Sequence, residues 1–424
     1  MRVSNVDIME QMKKNKDLAI IYACAIASSI ILILGWGVQE AFDSSSYINA
    51  WDSFVNGRID MFRTPVYPVF LGAMKIILGE QFFCMGAICV QHIIFLFSLR
   101  YFYRLALTIT NSGKIAFWIT LFYGVFSCIT TWNNFILTES FAISGTVFIL
   151  YLVQQLSEKR SFIYALHFTI LLSLLVLLRP ALIYMLPVFG VVWILMAIKN
   201  RKKMVALSGI LSVAVSSLSL LAYMKAFEKE YGIFASSSVS TINQVCIAHD
   251  YDLLNAEVIE DPQLRKDIID PQFKKDILEH RLWDRYDLKT INDAIMASNK
   301  SQPMKYIQKC FGRLYRSSTF PLFLTSIPGI TTIKDMIGIS LGTLYLFLII
   351  YTIIIIYWSL KKRMFPPITA LMYMLGVSNI IVSIVGAQAE WSRLILPSFP
   401  LFLLMFEQVC TIFVRRPILD VDFR

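Results

Sequence analysis

Continuous apolar runs, separated by short polar and basic stretches, set the pattern of this chain. They lie at about 18–38, 82–99, 115–132, 139–156, 162–178, 181–198, 204–224, 336–359, 365–386 and 394–414. Each has about the length that a helix needs to cross a bilayer. None alternates with the period of two expected of a membrane-spanning strand. The pattern predicts an all-α, polytopic transmembrane protein of about ten spans. One further run, 65–78, is interrupted by Pro68 and Lys75 and is short for a span. It is expected to lie along the outer membrane surface.

Composition supports this reading: 57% of the 424 residues are hydrophobic and 16% charged, against about 25% charged in a soluble domain. That excludes a soluble enzyme. The net charge of +10 does not indicate a nucleic-acid partner, because the positive residues sort by position. With the N-terminus inside and 65–78 left out of the membrane, 19 of the 39 Lys and Arg residues fall on the cytoplasmic side. Counting 65–78 as a span moves most of these clusters outside, against the positive-inside rule. Both termini are therefore expected in the cytoplasm. Three regions result: a membrane module over 1–224 with a first external loop at 40–81, a soluble helical subdomain over 225–335, and C-terminal transmembrane helices over 336–424. The subdomain holds 15 basic and 15 acidic residues. Its apolar positions (Leu264, Ile268, Phe273, Ile277, Leu278, Leu282) recur at helical spacing.

Five basic residues remain: Arg58, Arg63, Lys75, Arg179 and Arg393. All fall on the outer side, where the orientation rule gives no reason for them. Arg58 and Lys75 read equally well as interfacial side chains that snorkel. Arg179 and Arg393 abut apolar spans, a placement typical of a charge facing a cavity or a partner. The outer-face acids outside the subdomain are Glu40, Asp43, Asp52, Asp60, Glu80, Glu139 and Glu390. Glu139 opens an apolar span, where a carboxylate also favours a helix N-terminus. Asp43 directly follows the first span, and the simpler reading makes it the N-cap of the next helix.

Other residue types add little. Five of the seven cysteines lie in or beside spans without metal-ligand spacing, while Cys246 and Cys310 share the external segment and are a candidate disulfide. The four histidines form no zinc-hydrolase pattern. No phosphate-cradling glycine loop occurs, which speaks against a nucleotide-driven pump.

The stretch Asp43-Ser-Ser-Ser-Tyr47 followed by Arg63-Thr-Pro-Val-Tyr67-Pro68 resembles the first external loop of GT-C glycosyltransferases. These are integral membrane enzymes that take sugars from polyprenyl-phosphate carriers, protein O-mannosyltransferases and lipid A aminoarabinose transferases among them. The likeness continues through Thr138-Glu139, Arg179-Pro180 and Arg393-Leu-Ile-Leu-Pro397. The paired acidic motif of oligosaccharyltransferases is missing, which speaks against transfer of whole glycans to asparagine. The resemblance implies surface-lying helices in the first external loop and a site facing the periplasm or exterior of a bacterial inner membrane. It also implies a polyprenyl-phosphate sugar donor and a hydroxyl acceptor on a glycan, lipid or protein, in a setting of membrane lipids.

A lipid-phosphate sugar already carries a good leaving group, so the reaction needs a base for the acceptor hydroxyl and cations for the phosphate. Asp43 is the candidate base, with Glu139 orienting the sugar or sharing that role. Arg63, Arg179 and Arg393 are candidates for the phosphate cradle, and Tyr47 and Tyr67 for the substrate pocket. The need for a metal stays open, because the two acids could hold a divalent ion instead. The expected reaction is a single inverting displacement. One other function shares the topology, a glycan polymerase or O-antigen ligase of the Wzy kind; a non-enzymatic lipid or glycan translocator is a further alternative, but it needs charges within the spans, and these spans have few.

Overall fold

The computed structural model describes residues 5–159, 161–198, 203–314, 319–320, 339–362, 367–387 and 391–414. Glu390 lies outside them, as do the basic clusters at 199–202 and 415–424. The membrane module runs through Asn5–Trp36 (α1), Ser44–Val55 (α2), Val66–Leu78 (α3), Phe83–Thr110 (α4), Gly113–Val125 (α5), Ser127–Thr130 (α6), Glu139–Lys159 (α7), Phe162–Leu178 (α8), Met185–Ile198 (α9) and Lys203–Tyr231 (α10). The chain resumes in the membrane with helices Leu341–Lys362, Pro367–Gly386 and Phe399–Val414. Among the described residues the strands are a single two-residue antiparallel pair, Thr319–Phe320 with Ile339–Ser340.

Each of the ten apolar runs holds a helix. Among the described residues seven helices are long and apolar enough to cross a membrane, and an eighth span forms if Gly113–Val125 and Ser127–Asn134, bent by 50° at their junction, are taken together. The bend falls at Phe126, whose backbone is extended. The runs at 162–178 and 336–359 yield shorter apolar helices, Phe162–Leu178 and Leu344–Tyr357. The Val66–Leu78 helix has 13 residues, or about 20 Å of rise, well short of a hydrocarbon core of about 30 Å. Gly79, at φ +75°, ends it.

Apolar side chains face outward as well as inward. Ile31 and Leu34 on α1, Phe162 on α8 and Ile198 on α9 are exposed, while Ile21, Leu99, Phe168 and Trp193 are fully buried. This is the distribution of a bundle solvated by lipid. Small residues bring its helices close: Ser173 Oγ meets Ser216 Oγ at 3.0 Å between α8 and α10, and Gly209 leaves room for the Trp193 indole.

The helical segment after α10 has its own core, built on Val245, Leu264, Ile268, Phe273, Ile277 and Ile291. It contains Val239–Asp250 (α11), Pro262–Ile268 (α12), Pro271–Leu278 (α13), Leu288–Ser301 (α14) and Pro303–Leu314 (α15). Two Asp-Pro pairs start α12 and α13 in the same way. Asp261 accepts hydrogen bonds from the backbone of Gln263 and Leu264, and Asp270 from Gln272; proline fills the first helical position, where no N–H is needed. Helix α10 continues to Tyr231, so residue 224 falls within a helix and not at a boundary. Cys246 is a buried free thiol, pushed up to about 12 by burial; the side chain of Cys310 lies outside the described residues.

Candidate active site

Three tethers bring the segment after α1 to the start of α7. Gln39 and Phe135 form a parallel bridge, with Gln39 N donating to Asn134 O at 2.8 Å and Ile136 N to Gln39 O at 3.1 Å. The Asn134 side-chain amide caps the end of α1 through Leu32 O and Gly37 O. Gln91 of α4 donates to the carbonyls of Asn133 and Phe135 and accepts the Tyr67 hydroxyl at 2.7 Å. Asp43 and Glu139, distant in sequence, are thus held at one end of the bundle.

Arg63 is aimed by its own loop. Asp60 Oδ1 accepts the backbone N–H groups of Phe62 and Arg63, and Arg63 Nε donates to Ser46 Oγ at 2.6 Å. The guanidinium lies over the Tyr47 ring at 4.2 Å, a cation–π arrangement. Arg179 directly follows α8, and Thr64 Oγ1 reaches Leu178 O at 3.3 Å to tie that helix end to the Arg63 loop. Arg393 sits in the short helix Trp391–Ile395. Asn379 anchors that stretch by donating to Ser398 Oγ and Ile395 O.

The five charged side chains form one chain of ion pairs. Arg63 Nη2 is 2.7 Å from Asp43 Oδ1, and Arg393 Nη2 is 2.6 Å from Asp43 Oδ2. Arg393 Nε lies 3.0 Å from Glu139 Oε1, and Arg179 Nη1 lies 3.1 Å from the same oxygen. Exposure falls along the chain, from 22% at the Asp43 side chain to 2% at Glu139. Glu139 Oε2 is buried without a hydrogen-bond partner among the described residues. Burial pushes the Asp43 carboxyl up, but Arg63 and Arg393 outweigh it and hold the group at about 2.

Asp43 occupies the N-cap position of α2, yet its side chain makes no cap hydrogen bond; both carboxylate oxygens go to guanidiniums. Glu139 is the first residue of α7, so its carboxylate sits at a helix N-terminus as well as against two arginines. Arg58 and Lys75 stand apart from the chain of ion pairs. Lys75 pairs with Glu80 at the surface, and Arg58 is exposed. Tyr47 borders the site edge-on to Tyr67. Tyr67 is fully buried with its hydroxyl on Gln91, so it supports Tyr47 and the Asn133–Phe135 loop and does not line open space.

Sequence reasoning missed Gln91, Asn134, Asp60 and Ser46, which aim the charged groups. A buried Gln-His pair inside an apolar span (Gln91, His92) was the available signal, because His92 also bonds Asn134. His280 of the subdomain, in the left-handed region at φ +60°, packs on Phe62 with ring centroids 4.1 Å apart. It borders the site because Phe62 precedes Arg63.

Three guanidiniums against two carboxylates leave one formal positive charge on the network. That surplus, in surroundings shielded from water, suits an anion. The donor set does not suit a divalent cation: both carboxylates face arginines, and among the described residues no group of three His, Cys, Asp or Glu side chains gathers for a metal.

No protein-family model matches the chain, and neither does any curated protein. Solved structures do match. The oligosaccharyltransferase AglB of Archaeoglobus fulgidus, in complex with an inhibitory peptide and a dolichol-phosphate, aligns with a TM-score of 0.55 at 14% identity over 95% of this chain and 51% of that one. The Archaeoglobus fulgidus oligosaccharyltransferase tethered to an acceptor peptide with the NVT sequon aligns at 0.52, with 13% identity over 94% and 50%. Its apo form aligns at 0.53, with 14% identity over 92% and 50%. The chain spans about half the length of these structures. At this identity the likeness shows the fold alone: the multi-pass helical architecture that these structures share with this chain.

Proposed function

We propose that the protein transfers a sugar from a polyprenyl-phosphate-linked donor to an acceptor hydroxyl at the end of the bundle that carries Asp43 and Glu139. The observation that carries this reading is the arginine-rich ion-pair network with its surplus positive charge. The GT-C fold of the matching structures supports it, one of them holding a dolichol-phosphate.

In this reading the carboxylates occupy the guanidiniums until a donor phosphate competes for them. A phosphate accepts the planar fork of arginine as well as a carboxylate does. As Arg63 and Arg393 turn toward the phosphate, Asp43 loses the contacts that depress its proton affinity and becomes basic enough to act. The acceptor oxygen then attacks the anomeric carbon while the bond from that carbon to the phosphate oxygen breaks. The bonding pair leaves with the phosphate, and the hydroxyl proton passes to Asp43. Arg179 and Arg393 hold the growing phosphate charge, and inversion follows from the single displacement. The free Oε2 of Glu139 accepts from a sugar hydroxyl. We place this site on the exterior of a bacterial inner membrane with both termini in the cytoplasm, from the distribution of basic residues.

Transfer from a synthetic polyprenyl-phosphate sugar by the purified protein tests the reading, with Asp43→Asn as the informative variant. A glycan polymerase or ligase is favoured by one feature, the external His280 beside Phe62. Such an enzyme would tolerate Asp43→Asn and lose activity in His280→Ala. Mass spectrometry of envelope glycans from a deletion strain identifies sugar and acceptor.

A further inference from the structure

At the end of α7 remote from Glu139 the structure holds a polar cavity of about 830 Å³. Its floor includes Gln154 and Gln155, which are 5% and 7% exposed. The orientation of the Gln154 amide is set by its nitrogen, which donates to Thr108 Oγ1 and to Glu158 Oε1, both at 2.9 Å. The side-chain carbonyl oxygens of both glutamines are buried and lack hydrogen-bond partners among the described residues. Buried amide oxygens are nearly always satisfied, so this floor calls for a ligand that brings N–H or O–H donors.

Among the charged lining residues three cations (Arg104, Lys114 and Lys159) outnumber two carboxylates (Asp17 and Glu158), and this balance suits an anion that brings donors of its own. Arg104 and Lys114 line the cavity, and the Arg104 guanidinium is steadied by the Tyr151 hydroxyl at 2.9 Å. Asp17, also at the rim, accepts from the Tyr103 hydroxyl. The cavity lies where α1 turns polar at Lys16 and Asp17, the level of lipid headgroups in the bilayer reading. On α5, Trp118 and Phe122 follow Lys114 at four-residue steps and are exposed, so they lie on the Lys114 face of the helix. Together they form an apolar track leading away from the cationic rim.

We infer that this cavity binds one membrane phospholipid through a headgroup that combines a phosphate with hydrogen-bond donors. The phosphate meets Arg104 and Lys114, the donors meet Gln154 and Gln155, and an acyl chain follows Trp118 and Phe122. Phosphatidylglycerol (hydroxyl donors) and phosphatidylethanolamine (ammonium donors) fit these demands. Phosphatidylcholine carries the phosphate without any N–H or O–H group. The assignment is independent of the transferase reading, because it uses none of the five residues of the ion-pair network.

Native mass spectrometry of the full-length protein, titrated in detergent with each of the three lipids, tests it. The expected result is one phosphatidylglycerol or phosphatidylethanolamine retained at least about tenfold more tightly than phosphatidylcholine. Arg104→Gln combined with Lys114→Gln should weaken retention by at least about tenfold. Gln155→Leu, close in volume, should erase the preference over phosphatidylcholine with an unchanged melting temperature, and it carries the test if the double variant is not recovered. Equal retention of the three lipids, or wild-type retention by the variants, overturns the inference. Displacement of bound lipid by millimolar glycerol 3-phosphate would make a soluble phosphate ester the occupant and overturn the lipid assignment.

Discussion

Arg393 Nη2 lies 2.6 Å from Asp43 Oδ2 across 350 positions of sequence, and Nε of the same side chain lies 3.0 Å from Glu139 Oε1. One guanidinium thus joins the end of the first span to the start of α7. An ammonium is a single point charge and cannot span both carboxylates. Arg393→Lys is therefore expected to lower sugar transfer by roughly a hundredfold, or about 2.7 kcal/mol of barrier. Turnover of the lysine variant within about twofold of wild type would remove Arg393 from the phosphate cradle.

Loss of a general base typically slows a reaction by about 10²- to 10⁴-fold. Asp43→Asn should insert and fold normally and transfer sugar at least about a hundredfold more slowly. Asp52→Asn is the control, because Asp52 is an exposed acid of the same loop outside the ion-pair network, and it should be near neutral. A single-turnover assay with both variants separates a lost base from a general disturbance of the loop.

The position of Asp43 also predicts a pH response. Its carboxyl is held at about 2, below its ordinary 3.8. A group depressed on folding contributes stability above its unfolded value and loses it as pH falls through the folded one. Wild type should therefore keep a constant melting-temperature advantage over Asp43→Asn at pH 5 and above, and that advantage should shrink below about pH 4. An advantage that persists unchanged to pH 3 would contradict the paired geometry.

Gly72 on α3 faces the Trp51 indole so closely that an added Cβ would lie 2.0 Å from the ring. Alanine there must push α2 away from α3, at a cost of about 1–3 kcal/mol for such overpacking. Because α2 begins beside Asp43 and α3 follows Arg63, Gly72→Ala should lower the melting temperature and transfer together. Unchanged thermal unfolding would show that the Trp51 ring moves aside freely.

Orientation is testable with single cysteines in a background without native ones. An impermeant maleimide should label Met304→Cys in the external subdomain and spare Lys114→Cys at the start of α5 in intact cells. Both positions are exposed. The opposite pattern would reverse the proposed membrane orientation and move the site to the cytoplasm.

The division between what sequence and tertiary structure decide is visible residue by residue. A charge beside an apolar span is conspicuous because lipid does not solvate it, so Arg179, Arg393, Asp43 and Glu139 stand out from hydropathy and charge alone, while Arg63 is singled out by the resemblance of the motif it opens. The helical runs and the amphipathic subdomain follow from apolar content and period. Sequence could not show that Arg393 bridges two acids, since the pairing depends on how Pro367–Gly386 and Phe399–Val414 pack against the N-terminal helices. Nor could it show that Tyr67 is buried against Gln91 while Tyr47 stays beside Arg63, because both are tyrosines near the same motif. The roles of Asp60, Ser46, Gln91 and Asn134 were equally hidden, as each is an ordinary polar residue until its partner is brought near. Hydrophobicity is local and additive, so the sequence alone determined where the apolar helices lie; ion pairing and hydrogen bonding need two groups at one place, and only the packed bundle decides which groups meet.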